Sequence, residues 1–96
     1  MAYVVIATWR AKPGRAEHVK NILDTVTPIN RAEEKTLEFQ AHVSSDDPNT
    51  FVLYEKYVDA SGYQDHKNTE NFQTYVLDDA IPNLESRNVL TAETLD

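Results

Sequence analysis

Three histidines, His18, His42 and His66, are the residues of this 96-residue chain best suited to acid–base chemistry. An imidazole can accept or donate a proton near neutral pH, so each is a candidate general base. His66 is the strongest candidate, because residues 57–66 predict a short helix that follows a strand edge and ends at this histidine. A half-buried imidazole there can take a proton from an acidic carbon or a phenol. The alternative, in which His66 is purely structural and completes hydrogen bonds to backbone carbonyls at the helix end, stays open.

The other two histidines fit plainer roles. His18 is expected on the solvated side of the first helix. His42 falls on the polar face of a strand, either at the surface or in the wall of a cavity on the second face of the sheet. Because no pair has the HxH or HxxxH spacing, no metal site is expected.

Several other chemistries lack the residues that they need. The chain has no cysteine, which excludes disulfides and thiol catalysis. Its serines stand outside any GxSxG frame, so hydrolase chemistry has no support. With only Gly14 and Gly62, it has no loop for phosphates or dinucleotides. We therefore expect no bound flavin, nicotinamide or other cofactor.

The net charge and the placement of basic residues indicate which binding partners are unexpected. The net charge is −7, and the nine basic residues are scattered, so neither nucleic acid nor an anionic membrane is an expected partner. No apolar run reaches the roughly 18 residues of a spanning helix, and the N-terminus lacks a secretion signal pattern, so a cytoplasmic location is expected. The length predicts one domain, residues 1–96.

Hydrophobic periodicity predicts the elements that position these residues. Strands are predicted at 3–10, 36–44, 50–58 and 86–95. A first helix starts near Arg15, with a kink or restart at Pro28, where Thr27 can cap a last turn that runs to about Glu34. Asp59 is expected to cap a short helix through His66, and Thr69 a further helix that ends at Pro82. The order β-α-β-β-α-β predicts a ferredoxin-like α+β fold with a four-stranded antiparallel sheet.

The first strand predicts self-association. Residues 3–9 are apolar on both faces, whereas the helices of this topology cover only one face of the sheet. Pairing two sheets face to face would bury the second face, so a homodimer is expected. The substrate pocket is expected inside each subunit, between that open face and the helix of His66.

Two segments resemble the antibiotic biosynthesis monooxygenase family. The first is the hairpin strand NTFVLYEKYVD (49–59), followed by Tyr63 and by the run HKNTENF (66–72). The second is Lys12-Pro13-Gly14 before a helix that ends in PINRAE (28–33). The chain departs from many members at 34–36, where they have Pro-Gly, and at Asn71, where they have a second histidine.

This resemblance implies a dimeric α+β barrel that oxidises a phenolic or quinol-like polyketide with molecular oxygen and without metal or flavin. On this interpretation His66 is the proton acceptor, Glu55 and Tyr57 orient it or the substrate, and Arg31 steadies an anionic oxygen. The pocket walls are then aromatic, and the residues expected to contact substrate are Trp9, Tyr54, Tyr63 and Phe72.

Other activities of this fold remain alternatives. One is an isomerase of phosphorylated autoinducer-2-type sugars, in which Arg31 or Lys35 would meet the phosphate. Another is a ligand-binding or stress-response dimer without turnover. Haem degradation ranks last, because the residues such enzymes need beside their histidine are not evident.

Overall fold

A computed structural model describes residues 1–96 as one sheet with helices on one side. All strand pairs are antiparallel, in the order β2-β3-β1-β4. The predicted ferredoxin-like order of elements is confirmed. The elements are β1 (Tyr3–Ala11), α1 (Ala16–Arg31), β2 (Thr36–Val43), β3 (Thr50–Tyr57), α2 (Ala60–Lys67), α3 (Phe72–Ala80) and β4 (Leu84–Glu93).

Alternation along the two central strands builds the core. Trp9 on β1 pairs with Phe51 on β3, and Ala7 pairs with Leu53, so these four side chains point to the same face. All four are buried in a single apolar cluster that includes α1 residues such as Val19. The helix-covered face therefore holds the core, and any site inside the chain must be built into it.

The opposite face of the sheet carries no helix. At its centre Ile6 pairs with Tyr54 on one side and with Leu90 on the other. Leu90 is 56% exposed and Ile6 is partly exposed. We call this surface, formed by Val4, Ile6, Val52, Tyr54 and Leu90, the open face.

The predicted restart of the helix at Pro28 is wrong. α1 is one helix that passes through Pro28 and ends at Arg31. Proline removes the hydrogen bond to the carbonyl of Asp24, but Pro28 and Asp24 are both exposed. Water can satisfy that carbonyl, so the helix continues. Thr27, expected to cap a new turn, instead donates from Oγ1 to the carbonyl of Leu23 at 2.7 Å.

The two predicted caps are confirmed, and they fix the helix that carries His66. The Asp59 carboxylate accepts a hydrogen bond from the backbone N–H of Ser61 at 2.9 Å, which starts α2. The Thr69 hydroxyl accepts one from the backbone N–H of Phe72 at 3.0 Å and donates to the carbonyl of His66 at 2.8 Å. Thr69 thus links the end of α2 to the start of α3.

Two features of the C-terminal third differ from the prediction. α3 is a nine-residue π-helix, a wide form that is rare and often found at functional sites. β4 starts at Leu84, two residues earlier than expected, because Leu84 is buried and pairs with Ala11 across a bulge in β1. A single 3₁₀ turn at Ile81–Asn83 leads directly into it.

Candidate active site

His66 and Glu33 form a hydrogen-bonded pair at the end of α2. The His66 Nδ1 lies 2.9 Å from Glu33 Oε1 and 3.1 Å from Oε2. The side chains are 5% and 20% exposed. A carboxylate accepts the Nδ1 proton, which leaves Nε2 of a neutral imidazole unprotonated. No hydrogen bond in the structure occupies Nε2, so the geometry is that of an oriented base.

Aromatic rings surround the imidazole. Its centroid lies 5.2 Å from that of Phe72 in an edge-on arrangement and 5.9 Å from that of Tyr57. Tyr63 lies 6.5 Å away and nearly parallel, at 20°. These aromatic rings shield the base from solvent.

A second buried pair lies on β3. The Tyr57 hydroxyl donates to Glu55 Oε1 at 2.5 Å, and both residues are buried. Burial raises the pKa of Glu55, a change that the Tyr57 hydrogen bond only partly offsets. Burial and the neighbouring Glu55 also raise the pKa of Tyr57, so its phenol keeps its proton. Tyr57 is therefore a hydrogen-bond donor rather than a base.

Several residues of the site line a cavity between the sheet and the helices, not a pocket on the open face as the sequence predicted. Its wall includes His66, Glu55, Tyr63, Phe72 and Trp9. The prediction is wrong because His66 lies beneath α2 on the covered side of the sheet. The cavity has a volume of about 20 Å³, enough for about one water molecule. A ligand as large as an aromatic ring can enter only when wall side chains move.

The inner wall contains an unused donor. Trp9 is 3% exposed, and its Nε1 is the only buried side-chain nitrogen or oxygen without a hydrogen-bond partner. A buried donor left unpaired costs about 1–3 kcal/mol, so a partner is expected there.

Four other predicted or considered residues lie away from this cavity. Tyr54 is on the open face, where it pairs with Gln40 and Ile6. Arg31 is exposed and donates from Nε to the carbonyl of Phe39 at 2.9 Å, in a surface groove beside β2. The exposed His42 contacts the Val52 carbonyl, and the exposed His18 contacts Asp79. The structure brings neither Tyr54 nor Arg31 to His66.

Sequence reasoning missed two residues of the site. Glu33 was noticed only as part of the PINRAE segment, and the signal for its role is the acid placed just past the end of α1. Arg87 on β4 also lines the cavity. Arg87 pairs with Trp9, which places its side chain on the covered face of the sheet. The sequence alone does not reveal that register.

Neither a metal cluster nor a spanning helix is present. No group of three or more His, Cys, Asp or Glu side chains is arranged to hold a metal ion. No helix combines the length and the apolar character needed to cross a membrane.

Several solved structures of other proteins have the same fold. The chain is similar to solved structures from Pseudomonas aeruginosa (26% identity, TM-score 0.92, 99% of this chain and 95% of the other) and from Shewanella oneidensis (26%, 0.91, 97% and 90%). It is also similar to a candidate antibiotic biosynthesis monooxygenase from Nitrosomonas europaea (27%, 0.92, 98% and 90%). No functionally curated protein matches the chain. The family model described as antibiotic biosynthesis monooxygenase matches residues 2–77, which include both β3 and His66. The chain therefore belongs to the antibiotic biosynthesis monooxygenase family.

Proposed function

We propose that this protein is a cofactor-independent monooxygenase that oxidises a small phenolic, quinol-like or polyketide substrate with molecular oxygen. The observation that carries the proposal is the His66–Glu33 hydrogen bond of 2.9 Å at the wall of an enclosed, aromatic cavity. Family membership supports the reaction class, and the oriented His66 imidazole supports the first step, which is removal of a proton from the substrate.

In the first step, Nε2 of His66 removes a proton from the substrate. The Glu33 carboxylate holds the ring in place and stabilises the imidazolium that forms. The resulting substrate anion is rich in electrons and can itself reduce oxygen. The aromatic walls keep water away from this anion and from the oxygen-derived intermediate.

The reaction balances without a cofactor. For a substrate with an acidic methylene, the anion gives one electron to oxygen, and the two radicals combine into a peroxide anion. This anion takes the proton back from the His66 imidazolium and becomes a hydroperoxide. Loss of water then leaves a carbonyl where the methylene was. One oxygen atom ends in the product and the other leaves as water, so the four electrons removed from the carbon equal those taken up by oxygen.

Oxygen uptake with anthrone tests the proposal. The purified protein should consume one oxygen per anthrone and release anthraquinone. A general base contributes about 10²–10⁴-fold, so His66→Ala should lower the rate by that range and keep its fold by circular dichroism. His18→Ala and His42→Ala are matched controls, since both imidazoles lie on the surface. If His66→Ala keeps full activity on a substrate that the wild type oxidises, the assignment of His66 as the base is refuted.

The isomerase alternative draws no support from the cationic residues. Arg31 is held by the Phe39 carbonyl, and the Lys35 Nζ lies 2.9 Å from Asp65 Oδ2 at the surface. Neither residue lines the cavity of His66.

We also propose that the protein is a homodimer joined through the open face. Support comes from the row of apolar groups on that face, above all Leu90 at 56% exposure beside Ile6. Monomers rarely leave such a row in water.

A further inference from the structure

Arg87 is a cation of the cavity wall that has no partner within the chain. Arg10 forms ion pairs with Asp47 and Glu85. Arg87, by contrast, takes part in none of the ion pairs of the structure. It is exposed and lines the cavity, so its guanidinium lies at the rim, where a ligand can reach it.

Arg87 and Trp9 are neighbours on the sheet. They pair across β1 and β4, and their side chains point to the covered face. Trp9 contributes the unpartnered Nε1 donor, and Arg87 contributes a forked set of N–H donors. Both residues line the cavity, and neither side chain carries an acceptor.

These donors lie on the wall opposite the base. His66 and Glu33 come from the helix side, whereas Trp9 and Arg87 come from the sheet. Burial raises the pKa of both Glu55 and Tyr63, and the positive charge of Arg87 opposes that rise at each of them, as expected of a cation close to both residues. A ligand between the walls thus meets the His66 acceptor on the helix side and, on the sheet side next to Glu55, the donors of Arg87 and Trp9.

Resting on the proposed function, we infer that Arg87 and Trp9 form an oxyanion subsite for a carbonyl, phenolate or carboxylate oxygen of the substrate. The substrate class is therefore a planar molecule with an acidic C–H or O–H group on one edge and an acceptor oxygen on another. In anthrone the carbonyl lies across the central ring from the acidic methylene. Removal of the proton there moves negative charge onto the carbonyl oxygen, where preorganised donors stabilise it most. Arg87 thereby takes the role that the sequence had suggested for Arg31.

Two matched probes test the subsite by calorimetric titration under nitrogen. 6-Hydroxy-2-naphthoate carries a hydroxyl on one ring and a carboxylate on the other, and 2-naphthol carries the hydroxyl alone. Since the chain has a net charge of −7, a carboxylate gains affinity only from a local cation. We expect the naphthoate to bind about ten- to a hundredfold more tightly than 2-naphthol, as a charge-assisted hydrogen bond provides.

Variants then assign the donors. Arg87→Gln should abolish the preference and leave 2-naphthol binding unchanged. Trp9→Phe keeps an aromatic ring but removes Nε1, so it should reduce the preference about tenfold. Arg15→Gln, at an exposed position before α1, is the matched control and should keep the full preference. If Trp9→Phe does not fold, the comparison of the wild type with Arg87→Gln on the two probes tests the subsite by itself.

Several results would overturn the subsite. They are equal affinities for the two probes, a preference that survives in Arg87→Gln, a preference lost in Arg31→Gln instead, or no binding of either probe. Binding is measured without oxygen, so it separates this inference from the proposed function. A preference that depends on Arg87 without any oxygen uptake would leave the subsite standing and refute the oxygenase.

Discussion

Glu33 and His66 are separated by 33 positions in the chain, and their hydrogen bond joins the segment just after the end of α1 to the last turn of α2. The pairing makes Glu33 a positioning residue, which acts on the substrate only through the imidazole. Its value lies in the fixed tautomer and in the negative charge beside the imidazolium.

Replacing Glu33 should therefore affect the chemical step more than binding. In Glu33→Gln, kcat should fall at least about tenfold while KM changes little, because only the charge and the certainty of the tautomer are lost. The neighbouring Glu34 is exposed, and Glu34→Gln serves as the matched control. A raised KM with unchanged kcat would instead place Glu33 in substrate binding.

Glu55 should make the stability of the protein depend on pH. Burial raises its pKa, so the folded chain binds this proton more tightly than the unfolded chain does. The stabilisation is complete below the unfolded pKa of about 4.3 and is lost as the pH rises toward the folded value. Glu55→Gln keeps an oxygen for the Tyr57 hydroxyl and removes the titration. As the pH rises from 4 to 7, the wild type should therefore lose stability relative to Glu55→Gln. The unfolding free energy of the variant minus that of the wild type should increase over this range.

Urea unfolding at several pH values measures that difference. The matched control is Glu38→Gln, the same replacement at an exposed position of β2. A stability difference between Glu55→Gln and the wild type that stays constant with pH would contradict the burial argument.

At the scale of single residues, the sequence predicted which side chains belong to the site better than it predicted their interaction partners. His66, Glu55, Tyr57, Trp9, Tyr63 and Phe72 do come together, because their strand parity or helix position follows from local periodicity. Tyr54 has the opposite parity to Glu55 and so lies on the open face. Glu33 and Arg87 depend on contacts between distant segments, which no local pattern encodes.

Among the elements, α2 is held close to β3 by a glycine. A Cβ added at Gly62 would lie 2.9 Å from the Cβ of Tyr57 and 3.0 Å from that of Lys35. Only glycine allows this approach, and the approach is what brings His66 beneath the helix to the cavity.

Gly62→Ala should accordingly destabilise the protein. Overpacking costs about 1–3 kcal/mol, which outweighs the gain of up to about 1 kcal/mol in helix propensity. Gln64→Ala, at an exposed position of the same helix, should stay within about 0.5 kcal/mol of the wild type. Thermal unfolding of both variants gives the comparison, and a Gly62→Ala protein as stable as the wild type would show that α2 can shift freely.

The elements themselves were largely predictable from periodicity and cap residues. Asp59 and Thr69 cap as expected because their side chains act within three residues of the chain. The continuity of α1 depends on Pro28 facing solvent, a tertiary fact. The π-type hydrogen bonding of α3 and the early start of β4 reflect packing against the core, so neither could be read from spacing.

For the whole molecule, the open face is the surface that association would bury. Light scattering should give twice the chain mass of 10.9 kDa. Leu90→Glu places a charge in the middle of that face, opposite Ile6, and should shift the mass to that of one chain. Leu77→Glu makes the same change at a residue of α3 that is 41% exposed and lies on the other side of the molecule, so it should leave the mass unaltered. A wild-type protein that stays monomeric at micromolar concentration would refute the dimer.

Trp9 has one more consequence, because it is the only tryptophan of the chain and it lines the cavity. Fluorescence excited selectively in the indole therefore comes from one position, inside the site. Its buried surroundings place the emission at shorter wavelength than that of an indole in water. Any quinone-like molecule that enters will quench it, while unfolding will move it to longer wavelength. The protein thus carries a built-in optical reporter that distinguishes an occupied cavity from a lost fold without any label.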